Sequence, residues 1–88
     1  MSGEETPENR LKRLRMRSWR RGIKEMDLIL GQFCDERLDG LSPEMLNDYE
    51  ALLAENDQDL YRWVTGQEPA PDRFVPLIGE IANQARAI

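Results

Sequence analysis

The sequence predicts an all-α fold, a small five-helix bundle built as a single domain. Apolar residues recur at spacings of three and four along the chain, and no stretch pairs alternating β-branched residues with a hairpin dipeptide such as Asn-Gly. A hydroxyl residue directly precedes proline at Thr6-Pro7 and Ser42-Pro43. That pairing starts helices, because the hydroxyl accepts an orphan amide hydrogen bond and the proline stands where no donor is needed. A chain of 88 residues accommodates one core and not two.

The first helix is expected from Pro7 to about residue 18, with Leu11, Leu14 and Ser18 on one face and arginines on the others. Residues 1–6 read as a flexible acidic N-terminus, and residues 7–88 as the bundle. Gly22 marks a bend between two helices, since glycine costs a helix interior about 1 kcal/mol relative to alanine. The second helix, from about 22 to 38, carries Ile23, Met26, Leu30, Phe33 and Cys34, with Leu28 and Ile29 widening its apolar face, and is the central, most buried element. Gly40 is expected to end it as a left-handed cap.

The third helix starts at Pro43, with Leu41 stapled onto Leu46, and ends near Ala54. Asn56 or Asp57 caps a short fourth helix holding Leu60, Trp63 and Val64, which Gly66 stops. Residues 67–71 read as an extended connection. The last helix runs from about residue 72, carries Phe74, Leu77, Ile78, Ile81 and Ala82 and then Ala85 and Ile88, and has Pro76 in its first turn. Phe33, Tyr49, Trp63 and Phe74 all fall at core-facing positions, and Cys34 is expected as a buried, inert thiol.

Composition removes whole classes of chemistry. With no histidine and one cysteine, the chain assembles neither a histidine-containing triad, nor a Cys/His pair, nor a closed zinc site. No calcium-loop spacing of acidic residues occurs, and no run of about 18 apolar residues is present to span a membrane. The beginning Met1-Ser2-Gly3-Glu4-Glu5 resembles neither a secretory signal nor a transit peptide, and Cys34 has no disulfide partner. A cytoplasmic protein is the resulting expectation.

The net charge of −5 is unevenly spread. Residues 10–25 hold eight cations and one carboxylate, whereas residues 26–88 hold four cations and thirteen carboxylates. The basic stretch around Trp19 admits a nucleic-acid arm, in which arginines neutralise phosphates and the indole stacks on a base. The acidic remainder and the lack of a complete nucleic-acid-reading motif weigh against it. An adaptor whose basic face meets an acidic protein is a further alternative. The apolar stripe of the first helix is too narrow for firm insertion into a membrane surface.

The most informative pattern is R-G-x-x-E at Arg21-Gly22-Ile23-Lys24-Glu25. Read structurally, it is an exposed Arg21–Glu25 pair four residues apart, contributing a few tenths of a kcal/mol at most. Read functionally, Gly22 lets a partner approach closely, Arg21 supplies a planar donor fork, and Glu25 supplies an acceptor. Asp57 and Asp59 read as a cap and a first-turn acid.

Together with the preceding Arg17-Ser18-Trp19-Arg20, the Leu52-Leu53 pair, the Asp57-x-Asp59-Leu60 stretch and Trp63 followed by Gly66, this pattern resembles a known family. The family is the small bacterial FAD assembly factors of succinate dehydrogenase, with their mitochondrial relatives, succinate dehydrogenase assembly factor two. The resemblance covers Leu11 to Ile88. It implies a five-helix bundle that binds the flavoprotein subunit of succinate dehydrogenase, and of fumarate reductase, and promotes covalent attachment of FAD to a histidine of that subunit. It implies a chaperone-like helper and not an enzyme, with the linkage self-catalysed by flavin in the partner, no cofactor held stably by this chain, and a monomeric state. It places Arg21, Gly22 and Glu25 on the partner surface, with Arg17, Arg20 and Asp59 as further contacts, and assigns no catalytic, cofactor-binding or metal-binding residue. Gly22→Arg is then expected to leave the fold little changed and to abolish support of flavinylation.

Overall fold

Each helix begins and ends where local chemistry satisfies its unpaired backbone groups. In the computed structural model, which describes residues 5–19 and 21–86 (Arg86 by its backbone alone), the order is α1 (Pro7–Trp19), α2 (Lys24–Arg37), α3 (Pro43–Leu53), α4 (Asp57–Val64) and α5 (Val75–Arg86). No strand occurs among the described residues. The all-α, five-helix expectation therefore holds.

The caps are those the residue types call for. Thr6 Oγ1 accepts from the Asn9 amide at 3.1 Å, Ser42 Oγ from Met45 at 3.2 Å, and Asn56 Oδ1 from Gln58 at 2.8 Å. Gly66, at φ 82°, ends α4 with paired bonds from its own amide to the Trp63 carbonyl and from the Gln67 amide to the Arg62 carbonyl. Gly40 departs from expectation: it does not adopt the left-handed conformation, and α2 instead tightens into a 3-10 turn over Leu38–Gly40. That turn carries Leu38 into the core while its backbone stays bonded, through the Leu41 amide to the Leu38 carbonyl. A second 3-10 turn, Asp72–Phe74, precedes α5, so Pro76 lies in the first α-helical turn. Ile88, expected on the apolar face of this helix, lies outside the described residues.

The central helix is α2, which packs against α1, α4 and α5, while α3 bridges α1 and α5. Its Met26, Leu30, Phe33 and Cys34 are fully buried and meet Leu14, Tyr49 and Leu52 from the neighbouring helices in one core. Phe33 and Tyr49 pack with ring centroids 5.7 Å apart. Trp63 is only half-buried, its ring 6.1 Å from that of Phe74. Trp19 lies over α2 at Gly31, where a methyl group would overlap the indole ring. Gly31 is thus a glycine for close packing of α1 on α2, a contact between residues twelve apart in sequence.

A polar pair within the core joins Ser18 and Tyr49. Ser18 Oγ donates to the Leu14 carbonyl at 2.8 Å and so accepts from the Tyr49 hydroxyl, 2.5 Å away. Burial pushes the Tyr49 hydroxyl pKa up and outweighs the hydrogen bond with Ser18. Ser18→Ala removes that acceptor while the hydroxyl stays buried, and should cost about 2 kcal/mol in urea unfolding. Tyr49→Phe, which removes the polar group itself, should cost less.

On the surface, Glu50 accepts from Arg10 and Arg13, and Glu5 also accepts from Arg13. Burial raises the Glu50 pKa, but hydrogen bonds from Arg13 and Arg10 outweigh it, and the net direction is downward. A carboxyl whose folded pKa is depressed stabilises the fold above its unfolded pKa and loses that contribution as pH falls through the folded value. Wild type should therefore melt above Glu50→Gln at pH 7, and the gap should close as pH falls below about 4. A pH series of thermal melts reads this directly.

Candidate functional site

The R-G-x-x-E residues occupy the junction between α1 and α2. Arg21, Gly22 and Ile23 form a bend, and α2 starts only at Lys24. Arg21 therefore precedes the helix, the geometry of a helical pair four residues apart never arises, and Arg21 does not bond to Glu25.

Arg21 instead reaches across the bundle to Asp57. Its Nε donates to Asp57 Oδ1 at 2.8 Å and its Nη2 forms an ion pair with the same oxygen at 2.7 Å, with the two side chains only 10% and 15% exposed. Nη1 donates to the carbonyls of Leu53 and Arg17 at 3.0 and 3.3 Å, and Nη2 also donates to that of Glu55 at 3.4 Å. All three nitrogens of the guanidinium are thereby matched to acceptors of this chain. The cation sits at the C-terminal ends of α1 and α3, and Asp57 at the N-terminal end of α4, each where the helix dipole favours its charge.

Asp57 Oδ2 accepts from the Gly22 amide at 2.5 Å. One carboxylate thus holds both the arginine side chain and the glycine backbone. A Cβ on Gly22 would lie 3.3 Å from that oxygen, close enough to push it. Gly22 is otherwise exposed, and so is Glu25 in the first turn of α2.

The remaining predicted residues are placed as follows. Arg17 is half-buried, and its carbonyl accepts from Arg21. Asp59 is half-buried and accepts from Arg62 at 2.9 Å. Arg20 lies outside the described residues. Sequence reading missed Asp57 as the organising group, although Asn56 supplies the α4 cap and so leaves the adjacent carboxylate available.

Much of the basic stretch is neutralised within the chain. Arg10 and Arg13 pair with Glu50, Arg15 faces Asp35 and Asp39, and Arg21 pairs with Asp57. Fewer guanidinium groups are free for phosphates than the sequence suggests. Cys34 is fully buried, and its burial raises the thiol pKa, which keeps it protonated and unreactive. Among the described residues, no group of three or more Cys, Asp or Glu side chains is arranged to hold a metal ion, and no helix is long and apolar enough to cross a membrane.

Beside the junction a groove of about 580 Å³ opens between α2, α4 and α5. Leu28 and Ile29 form one wall, Val64 and Ala82 lie opposite, and Glu25 is the one charged lining residue among those described.

The model of the family described as flavinator of succinate dehydrogenase matches residues 12–85. Succinate dehydrogenase assembly factor 2, mitochondrial, of Meyerozyma guilliermondii is 44% identical over 73 residues, which cover 80% of this chain and 54% of that protein. The protein of the same name from Schizosaccharomyces pombe is 37% identical over 70 residues, covering 80% and 50%. That from Aspergillus terreus is 43% identical over 75 residues, covering 85% and 24%. The chain spans about half the length, or less, of these curated relatives.

Their names correct the cytoplasmic expectation, since all three are designated mitochondrial. A fully buried thiol is shielded from its surroundings, so Cys34 could not distinguish one reducing compartment from another. With a family-model match over most of its length and relatives of that name up to 44% identical, this chain belongs to the flavinator family of succinate dehydrogenase assembly factors.

Proposed function

We propose that this chain binds the flavoprotein subunit of succinate dehydrogenase and promotes covalent attachment of FAD to it, as a monomeric, chaperone-like helper. The observation that carries this reading is the junction held by Asp57, which turns Arg21 inward and leaves Gly22 and Glu25 outward. Gly22 and Glu25 meet the partner, Gly22 because a side chain would hold the two surfaces apart. Arg17, Arg20 and Asp59 are further partner contacts. Arg21 contributes by fixing the junction from behind.

Linkage of flavin to protein is self-catalysed within the partner, where FAD acts, and this chain holds no cofactor stably. Its contribution is conformational: it selects the partner geometry that brings the accepting histidine and the flavin within reacting distance. The absence of histidine from this chain fits a helper that supplies no group to the bond being formed.

The test is in-gel flavin fluorescence of the denatured flavoprotein subunit, in cells with and without this chain, because only covalently linked flavin survives denaturation. The band should vanish on deletion and return with the wild-type chain. A band unchanged by deletion would overturn the proposal. The same assay on the fumarate reductase flavoprotein decides whether that protein is a second client.

A further inference from the structure

The exposed part of the R-G-x-x-E junction is too small to hold a protein partner alone. All three guanidinium nitrogens of Arg21 are engaged within the chain, so among the described residues Gly22, Lys24 and Glu25 are what the junction itself presents. Stable protein interfaces use about 20–30 residues on each side, around a desolvated apolar centre. The contact must extend onto neighbouring surface, and Glu25 identifies the direction, since it also lines the groove between α2, α4 and α5.

That groove has the character of an anchor site. Leu28 is 45% exposed along its wall, a large aliphatic side chain left in water by the fold of the isolated chain. Ile29, Val64, Ala82 and Ala85 extend the apolar lining, and Glu25 is its only charge among the described residues. A matching occupant is an apolar side chain that fills the concavity, flanked by a lysine or arginine that meets Glu25.

We infer that the groove is the second half of the flavoprotein-binding surface and receives an apolar side chain of that subunit, next to a cation that pairs with Glu25. The inference rests on the proposed function above. It adds a specific anchor outside the R-G-x-x-E residues, in which Leu28 supplies packing and Glu25 joins the two halves.

The experiment measures affinity of the full chain for the purified flavoprotein subunit of succinate dehydrogenase by calorimetry, with each variant checked by circular dichroism and melting. Leu28→Glu should weaken binding about tenfold or more, and Leu28→Ala about threefold. Because Leu28 lies outside the core, both variants should keep their helicity; should the charged one unfold, the alanine variant still decides. Val75→Glu places the same charge at a comparably exposed apolar residue at the start of α5 and outside the groove, and should stay within about twofold of wild type. Gly22→Arg tests the reading beneath the inference. If Gly22→Arg loses affinity while both Leu28 variants keep it, the groove is overturned and the junction stands. If all these variants bind as wild type does, the proposed surface fails, and the groove with it. If Leu28→Glu instead dissolves a dimer seen by sedimentation velocity and leaves subunit binding unchanged, the occupant is a second copy of this chain, and the inference is overturned.

Discussion

Asp57→Ala should destabilise the chain by about 3 kcal/mol, a large share of the total stability expected for a domain of this size. Three losses combine. The Arg21 guanidinium, 10% exposed, keeps its charge and loses its counter-ion, the Gly22 amide loses its acceptor, and α4 loses a carboxylate from its first turn. Urea unfolding measures the effect. Asp57→Asn retains an acceptor oxygen without the charge and should fall between the two. Arg21→Ala combined with Asp57→Ala should cost clearly less than the two single changes added together, because each single variant strands the other member. Additive losses would mean that the two groups act independently. Flavinylation should fall in Asp57→Ala even at temperatures where the chain stays folded, since the junction then loses the group that holds it.

Gly22→Arg should abolish support of flavinylation in the in-gel assay, and the structure revises what accompanies that loss. From the sequence alone, stability is expected to change little. Yet any side chain at this position brings a Cβ to 3.3 Å from Asp57 Oδ2, and that carboxylate is fixed by Arg21 and by the Gly22 amide. A loss of about 1 kcal/mol should therefore accompany the functional defect. Gly22→Ala separates the two effects, since it carries the same Cβ without the bulk. It should share the modest loss of stability and retain most of the flavinylation. If Gly22→Ala is as inactive as Gly22→Arg, the glycine acts through Asp57 and is not a partner contact.

These two expectations show where sequence reading reaches and where it ends. Helix starts were legible because their chemistry is local: a hydroxyl or amide and its acceptor role lie within three residues, as at Thr6, Ser42 and Asn56. The end of α2 was less so. Gly40 has the composition of a left-handed cap, but burial of Leu38 favours a tighter turn, and burial is a property of the assembled core. The placement of Trp19 on Gly31 and of Arg21 on Asp57 joins residues 12 and 36 positions apart, and no periodicity within one helix encodes either. The R-G-x-x-E pattern identified the right junction, while its spacing suggested a helical ion pair that cannot form when the arginine lies ahead of the helix.

The buried Cys34 gives the chain an internal clock. It is the only cysteine in the sequence and has no measurable exposure, so a thiol-directed reagent reaches it only when the core opens. Its labelling rate, followed by mass, reports the population of open molecules in mixtures where spectroscopy would see mainly a larger protein. Applied to this chain mixed with a candidate client, slower labelling would register capture of the folded form without any added dye, tag or substitution.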